Sequence, residues 1–271
     1  MIQILEALIL GAIQGLTEIL PISSSAHLVL APKFFHWTDL GLGFDAVIHL
    51  GTFSAIFYYF RKEIIKLVLA FFKSIKKRKV SDYEEKLALY IVLGSIPAVI
   101  AAVFLQNLAE TVFRSTSVVL CALLLGSALL FIADRFTIKQ KTLEKITLKD
   151  SLIIGAAQIL ALMPGISRSG ATISFGRFLK FDRESAAKFS FLLSLPVTLG
   201  AGLFELKGVD FTSNAILVYA AGILSSAIFG FIAVKFMLKY ISNHNFNIFV
   251  YYRLFLALLI IIFLLCHLNF H

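Results

Sequence analysis

Residues 14–27 read QGLTEILPISSSAH, and residues 158–172 read QILALMPGISRSGAT. Each sets hydroxyl, amide and ionisable side chains in the middle of an otherwise apolar run. At hydrocarbon depth a charged side chain costs about 3 kcal/mol or more unless it faces protein or water, so a cluster of this kind marks a functional site by default. The two stretches also correspond. A shift of 144 residues (158 minus 14) places Gly11 on Gly155, Ala12 on Ala156, Gln14 on Gln158, Ser23 on Ser167 and Ser25 on Ser169 without a gap. One polar motif is used twice.

The rest of the chain says what surrounds it. Of 271 residues, 59% are hydrophobic and 15% are charged, and the mean hydropathy is +0.90. That composition excludes a soluble protein and predicts a polytopic membrane protein. A formal charge of +9 does not argue for a nucleic-acid partner, because membrane proteins collect Lys and Arg in their cytoplasmic loops for topological reasons. Cys121 and Cys266 fit neither a disulfide framework nor a thiolate metal site. The first twenty residues lack a basic leader and carry Glu6 and Glu18, so the N-terminus is expected to be part of the fold rather than a cleaved signal.

Six apolar runs, at about 42–60, 87–105, 117–133, 185–206, 215–238 and 249–268, are each near the ~20 residues that cross a bilayer core. The motif regions differ. Residues 4–13 make about 15 Å of helix before the polar cluster, and residues 28–35 return a similar distance. Pro21, and Pro164 with Gly165, break the helix between the arms. Each region is therefore predicted to be a re-entrant hairpin reaching half-way across, with its irregular backbone sheltered by protein or a watery cavity.

Charge decides between hairpin and span. If both regions enter and leave on one side, the loops at 61–86, 135–149, 177–188 and 235–253 share a face and hold 21 of the 25 Lys and Arg; Lys33, Arg114 and Lys207 lie opposite, and Arg168 sits in the motif. This satisfies the positive-inside rule, and a full span at the second motif would not. The predicted fold is all-α and forms a single membrane domain over 1–271. Repeat one (1–133) and repeat two (151–271) are joined by a cytoplasmic linker at 134–150, and each half is one hairpin plus three transmembrane helices. An odd number of crossings inverts the halves, so the hairpins dip in from opposite leaflets and their tips can meet.

At the first tip, Gln14 and Glu18 share a helix face, Ser23, Ser24 and Ser25 occupy the turn, and His27 begins the return. On a helical arm His27 would lie within reach of Ser24 or Ser23, the arrangement in which a base activates a hydroxyl. At the second tip, Ser167, Ser169 and Thr172 surround Arg168, whose planar fork suits phosphate oxygens. Gly165 and Gly170 allow backbone amides to approach an anion at a helix N-terminus. A carboxylate beside such a cradle would hold a divalent cation or handle a proton. Plainer readings remain open: Glu18 and Arg168 as a buried ion pair, and the hydroxyls as packing hydrogen bonds. Asp45 and His49, four apart in the next run, can line the same cavity, but a structural hydrogen bond is the favoured reading.

With these residues in view, the sequence resembles the bacterial undecaprenyl-diphosphate phosphatases, the bacitracin-resistance family of integral membrane enzymes. The likeness covers essentially the whole chain. One family signature matches QGLTEILPISSSAH and another, PGxSRSxxT, stands intact as PGISRSGAT. The resemblance implies hydrolysis of undecaprenyl diphosphate to the monophosphate carrier and inorganic phosphate, in the bacterial inner membrane, with basic loops cytoplasmic and the site open to the periplasmic or outer side. It implies a divalent cation, magnesium or calcium, at Glu18, which would bind metal or transfer a proton. It implies Ser24 as nucleophile with His27 as base, and Arg168 as the diphosphate clamp aided by Ser167, Ser169 and Thr172. Gln14 stands where many relatives have a second Glu and Ser25 where Thr is common; both join Ser23 as expected substrate contacts. The expected partners are the polyprenyl diphosphate and membrane lipids, without nucleic acid, and a homo-oligomer is left open. The competing class is an inverted-repeat secondary transporter or lipid-phosphate flippase, because the same architecture serves transport.

Overall fold

Apolar sequence in which polar groups are few can satisfy its backbone in lipid only as helix or closed barrel, and this chain takes the helix. The computed structural model describes residues 2–35, 37, 40–110, 112–138, 141–205 and 213–268. Lys139 and Lys207, counted above, lie outside the described residues. The helices are α1 (Ile2–Ile19), α2 (Ser24–Phe35), α3 (Gly41–Tyr59), α4 (Arg61–Lys77), α5 (Tyr83–Glu110), α6 (Thr116–Phe136), α7 (Leu148–Ala157), α8 (Arg168–Phe178), α9 (Arg183–Glu205), α10 (Ser213–Ile241) and α11 (Asn247–Leu268). A 3-10 segment, Gln158–Leu162, extends α7. Six described helices are long and apolar enough to cross a membrane: Ile2–Ile19, Tyr83–Leu105, Thr116–Phe136, Arg183–Phe204, Ala215–Ile241 and Asn247–Cys266. The chain is an all-helical, polytopic membrane protein.

Five of these helices answer to runs expected from sequence. The sixth is α1, which runs 18 residues, about 27 Å, and not the half-depth arm of ten residues. Gln14, Thr17 and Glu18 do not stop it, because they lie on its buried face; only Pro21 does. The expected run at 42–60 forms the 19-residue α3. Within the loop at 61–86, the whole of α4 forms as a further helix.

Local sequence explains the breaks. Thr147 accepts from the Asp150 amide while the Asp150 carboxylate accepts from the Thr147 amide, a capping box that starts α7. In both turns a serine takes the left-handed backbone region, Ser23 at φ 74° and Ser167 at φ 71°. Each then caps the helix behind it, with Ser23 Oγ accepting from the Ala26 amide at 3.4 Å and Ser167 Oγ from the Gly170 amide at 3.1 Å. These pairs sit at the same 144-residue offset, so the two turns share conformation as well as sequence.

Each hairpin packs on the other half of the chain. Helix α1 lies along α10, and α7 lies along α5. The approach is close enough that a Cβ on Gly11 would overlap the Gly222 carbonyl, and one on Gly155 the Gly94 carbonyl. Helices α3 and α9 meet across the centre, and α6 meets α11. Replacing Gly155 with alanine is expected to cost about 1–3 kcal/mol by overpacking, seen as a lower Tm in detergent. Gly43, where an added methyl group would meet nothing within 4 Å, should gain slightly from the same change, because alanine is the better helix former.

Candidate active site

The site assembles where the two turns touch. Glu18, in the last turn of α1, is buried, with 8% of its surface exposed. Its Oε1 accepts from Arg168 Nη2 at 2.7 Å. Its Oε2 accepts from the Ser24 hydroxyl and, at 3.3 Å, from Gln14 Nε2. One carboxylate therefore holds the guanidinium of one turn and the serine of the other. Further bonds fasten the turns: the Gly165 amide donates to Ser23 Oγ at 3.0 Å, and Ser169 Oγ donates to the Leu20 carbonyl at 3.3 Å. The serine pairs Ser23–Ser25 and Ser167–Ser169 lie 3.3 Å and 3.2 Å apart, oxygen to oxygen.

Not every expected contact forms. His27 does not bond the Ser24 hydroxyl; its Nδ1 meets the Ser23 carbonyl at 2.7 Å and its Nε2 meets the Tyr252 hydroxyl at 2.8 Å. The reason is helical geometry, since residue 27 reaches the carbonyl four back more readily than a side chain three back. Ser24 is left to Glu18. Thr172 is turned into the packing between α8 and α9, where its hydroxyl donates to the Arg168 carbonyl at 2.8 Å and meets Ser190 Oγ at 2.6 Å.

Three residues join the site beyond the expected set. His49, expected to be structural, does bond the Asp45 carbonyl through Nδ1 at 2.6 Å, but its Nε2 also stands 3.6 Å from Glu18 Oε2. Asp45 itself pairs with Arg114 at 3.2 Å. The i, i+4 spacing of Asp45 and His49 in an apolar run was the available signal. Tyr252 carried none. Arg253 was misplaced: counted with the basic loop at 235–253, it belongs to α11 and is fully buried. Its Nη1 donates to the carbonyls of Pro21 at 3.3 Å and Ile166 at 3.1 Å, and its Nη2 to those of Leu123 at 3.1 Å and Gly165 at 2.8 Å. Setting it aside leaves 20 of the 21 cations that the sequence reading placed on one face.

Two orphaned atoms describe what the site lacks. Arg168 Nη1 and Gln14 Oε1 are buried without hydrogen-bond partners. A buried donor without an acceptor costs about 1–3 kcal/mol. Arg168 is thus a half-used fork: one nitrogen holds Glu18, and the other is suited to an anionic oxygen. Helix α8 begins at Arg168, which adds its positive N-terminal dipole.

A buried carboxylate, guanidinium and row of hydroxyls, gathered at two turns inside a bundle of lipid-facing helices, define an integral membrane enzyme of phosphate chemistry. Comparison with known proteins is more specific. A family model described as bacitracin resistance protein BacA matches residues 7–259, and the chain belongs to that family. Relatives named undecaprenyl-diphosphatase include those of Geotalea daltonii, 44% identical with 96% of this chain and 97% of the relative covered; Moorella thermoacetica, 42% with 95% and 97%; and Gemmatimonas aurantiaca, 41% with 94% and 96%.

Proposed function

We propose that the protein hydrolyses undecaprenyl diphosphate to undecaprenyl phosphate and inorganic phosphate. The observation that carries this reading is Glu18 held at once by Arg168 and Ser24, within a chain that matches undecaprenyl-diphosphatases over nearly its full length. Ser24 Oγ attacks the terminal phosphorus while its proton passes to Glu18. The bond from that phosphorus to the bridging oxygen breaks, and undecaprenyl phosphate leaves. Glu18 hands that proton to the departing lipid phosphate; water then attacks the phosphoserine, Glu18 takes the water's proton and passes it to Ser24 Oγ as the phosphorus–Oγ bond breaks, and phosphate departs. Arg168 neutralises the phosphoryl oxygens through its second nitrogen, and Ser25, Ser167 and Ser169 supply hydroxyl donors around them. The lipid surroundings accept the tail. The transporter alternative draws no comparable support.

A divalent cation belongs to this proposal. Among the described residues no group of three or more His, Cys, Asp or Glu stands together as a metal site. The donors that fit are Glu18 and the unpartnered Gln14 Oε1, two oxygens for an ion that takes its remaining ligands from phosphate and water, as magnesium and calcium do. When bound there, the ion would offset phosphoryl charge and orient the headgroup.

The reading places the basic loops in the cytoplasm and opens the site to the outer side of the inner membrane. It takes the two halves as inverted repeats, supported by the exchange in which α1 packs on α10 and α7 on α5. At the 144-residue offset Glu18 falls on Leu162, Ser24 on Arg168 and His27 on Ala171, so one tip carries the carboxylate and the other the clamp.

The nucleophile has a direct test. Ser24→Ala should lower phosphate release from a prenyl diphosphate by about 100-fold or more, and Ser25→Ala by less than about tenfold. Near-normal turnover in the Ser24 variant would assign the attack to water activated at Glu18.

A further inference from the structure

Helix α4 has three faces. Ile64, Leu67 and Ser74 are buried, packed on α5. Ile65, Val68, Leu69, Phe72 and Ile75 are 48–65% exposed, and their spacing of three and four residues makes them one stripe. Lys62, Lys66, Lys73 and Lys77 line the third face, on the other side of that stripe, and Lys76 stands at the C-terminal end of the stripe itself. Lys73 and Lys77 are partly neutralised by Asp82 and Glu85. Lys62, Lys66 and Lys76 are exposed and make no ion pair among the described residues. A helix with an unburied apolar stripe beside free lysines is stable neither in water, where the stripe is exposed, nor across a bilayer, where the lysines would be buried. It is stable lying in the plane of the interface.

We infer that α4 is an in-plane anchor whose free lysines select anionic phospholipid headgroups in the leaflet that faces the basic loops. The stripe enters the acyl region. The lysine stems run along the boundary and present their ammonium groups to headgroup phosphates. Charge complementarity names the occupant. Zwitterionic lipid would satisfy the stripe equally well and leave the three lysines without counterions. The stripe also continues inward: Val68 and Phe72 line an apolar groove of about 310 Å³ shared with Ile91, Leu192 and Pro196, which offers room for part of an acyl chain. This surface is independent of the catalytic reading, since none of its residues contacts Glu18, Ser24 or Arg168.

The test uses the full chain in vesicles, with Trp37→Phe and Phe72→Trp leaving one tryptophan reporter on the stripe. Brominated acyl chains are introduced on phosphatidylglycerol or on phosphatidylcholine at the same low mole fraction. Quenching is expected from both, and roughly threefold more strongly from phosphatidylglycerol at low salt, in line with the attraction of juxtamembrane lysines to anionic leaflets. Adding Lys62→Gln, Lys66→Gln and Lys76→Gln should remove the difference while leaving the quenching by phosphatidylcholine. Equal quenching by both lipids in the parent would overturn the headgroup selection. Absence of quenching by either would overturn the in-plane placement, with circular dichroism confirming that α4 is still helical.

Discussion

Replacing Arg168 with alanine is expected to lower phosphate release by about a thousandfold, since loss of one preorganised donor to a developing anion costs about that much. The same change leaves Glu18 buried beside Ser24, Gln14 and His49 without its strongest partner, and breaking a buried pair from one side costs about 3–5 kcal/mol. A fall in activity alone would therefore be ambiguous. Arg168→Lys separates the effects. An ammonium keeps the charge against Glu18 but cannot offer a second planar nitrogen, so the lysine variant should remain folded and monodisperse in detergent yet stay at least about a hundredfold slow. Glu18→Gln should be as slow as the alanine variant, because the amide accepts no proton from Ser24. Wild-type turnover in either Arg168→Lys or Glu18→Gln would refute the assignment of both.

Arg253 should be nearly as sensitive, although it is not placed against the substrate. Its guanidinium donates to carbonyls of the first turn, the second turn and α6, and among the described residues no carboxylate pairs with it. Each charge-assisted bond is worth about 1.5–3 kcal/mol before desolvation is charged against it. What the residue provides is registration of two turns that share no covalent link. Arg253→Lys is expected to keep the fold and lose about a hundredfold in kcat, with three donors unable to span four carbonyls; a displacement of about 1 Å is enough for a loss of that size. Gly126→Ala approaches the same network from the other side, because its Cβ would overlap the Arg253 guanidinium. If the Gly126 and Arg253 variants both turn over normally, the turns are held by other means.

Much of this protein was written locally. Apolar runs of about 20 residues forced helices, since lipid leaves the backbone no other partner. Pro21 and Pro164 fixed where the hairpins turn, and the offset repeat identified both tips before any fold was known. The resemblance singled out Glu18, Ser24 and Arg168, and in the fold Ser24 and Arg168 both bond the Glu18 carboxylate. Sequence also misjudged particular residues for particular reasons. Gln14, Thr17 and Glu18 of α1 looked like the end of an apolar arm, but helix stability depends on which face they occupy, and these three lie on the buried one. Arg253 followed a run of loop residues and was counted with them, because hydropathy averages over a window and cannot resolve one buried cation inside a helix.

Composition and local pattern were enough to settle the class of the molecule: helices in a membrane, with two serine turns, Glu18 beside one and Arg168 at the other. Which side chains meet was left to packing in three dimensions. Ser24 answers to Glu18, His27 to Tyr252, Thr172 to Ser190, and Arg253 to carbonyls of three separate segments. Propensity and hydropathy act over a few neighbouring residues, whereas these contacts join positions up to 232 apart in sequence and exist only once α1 has packed on α10 and α7 on α5.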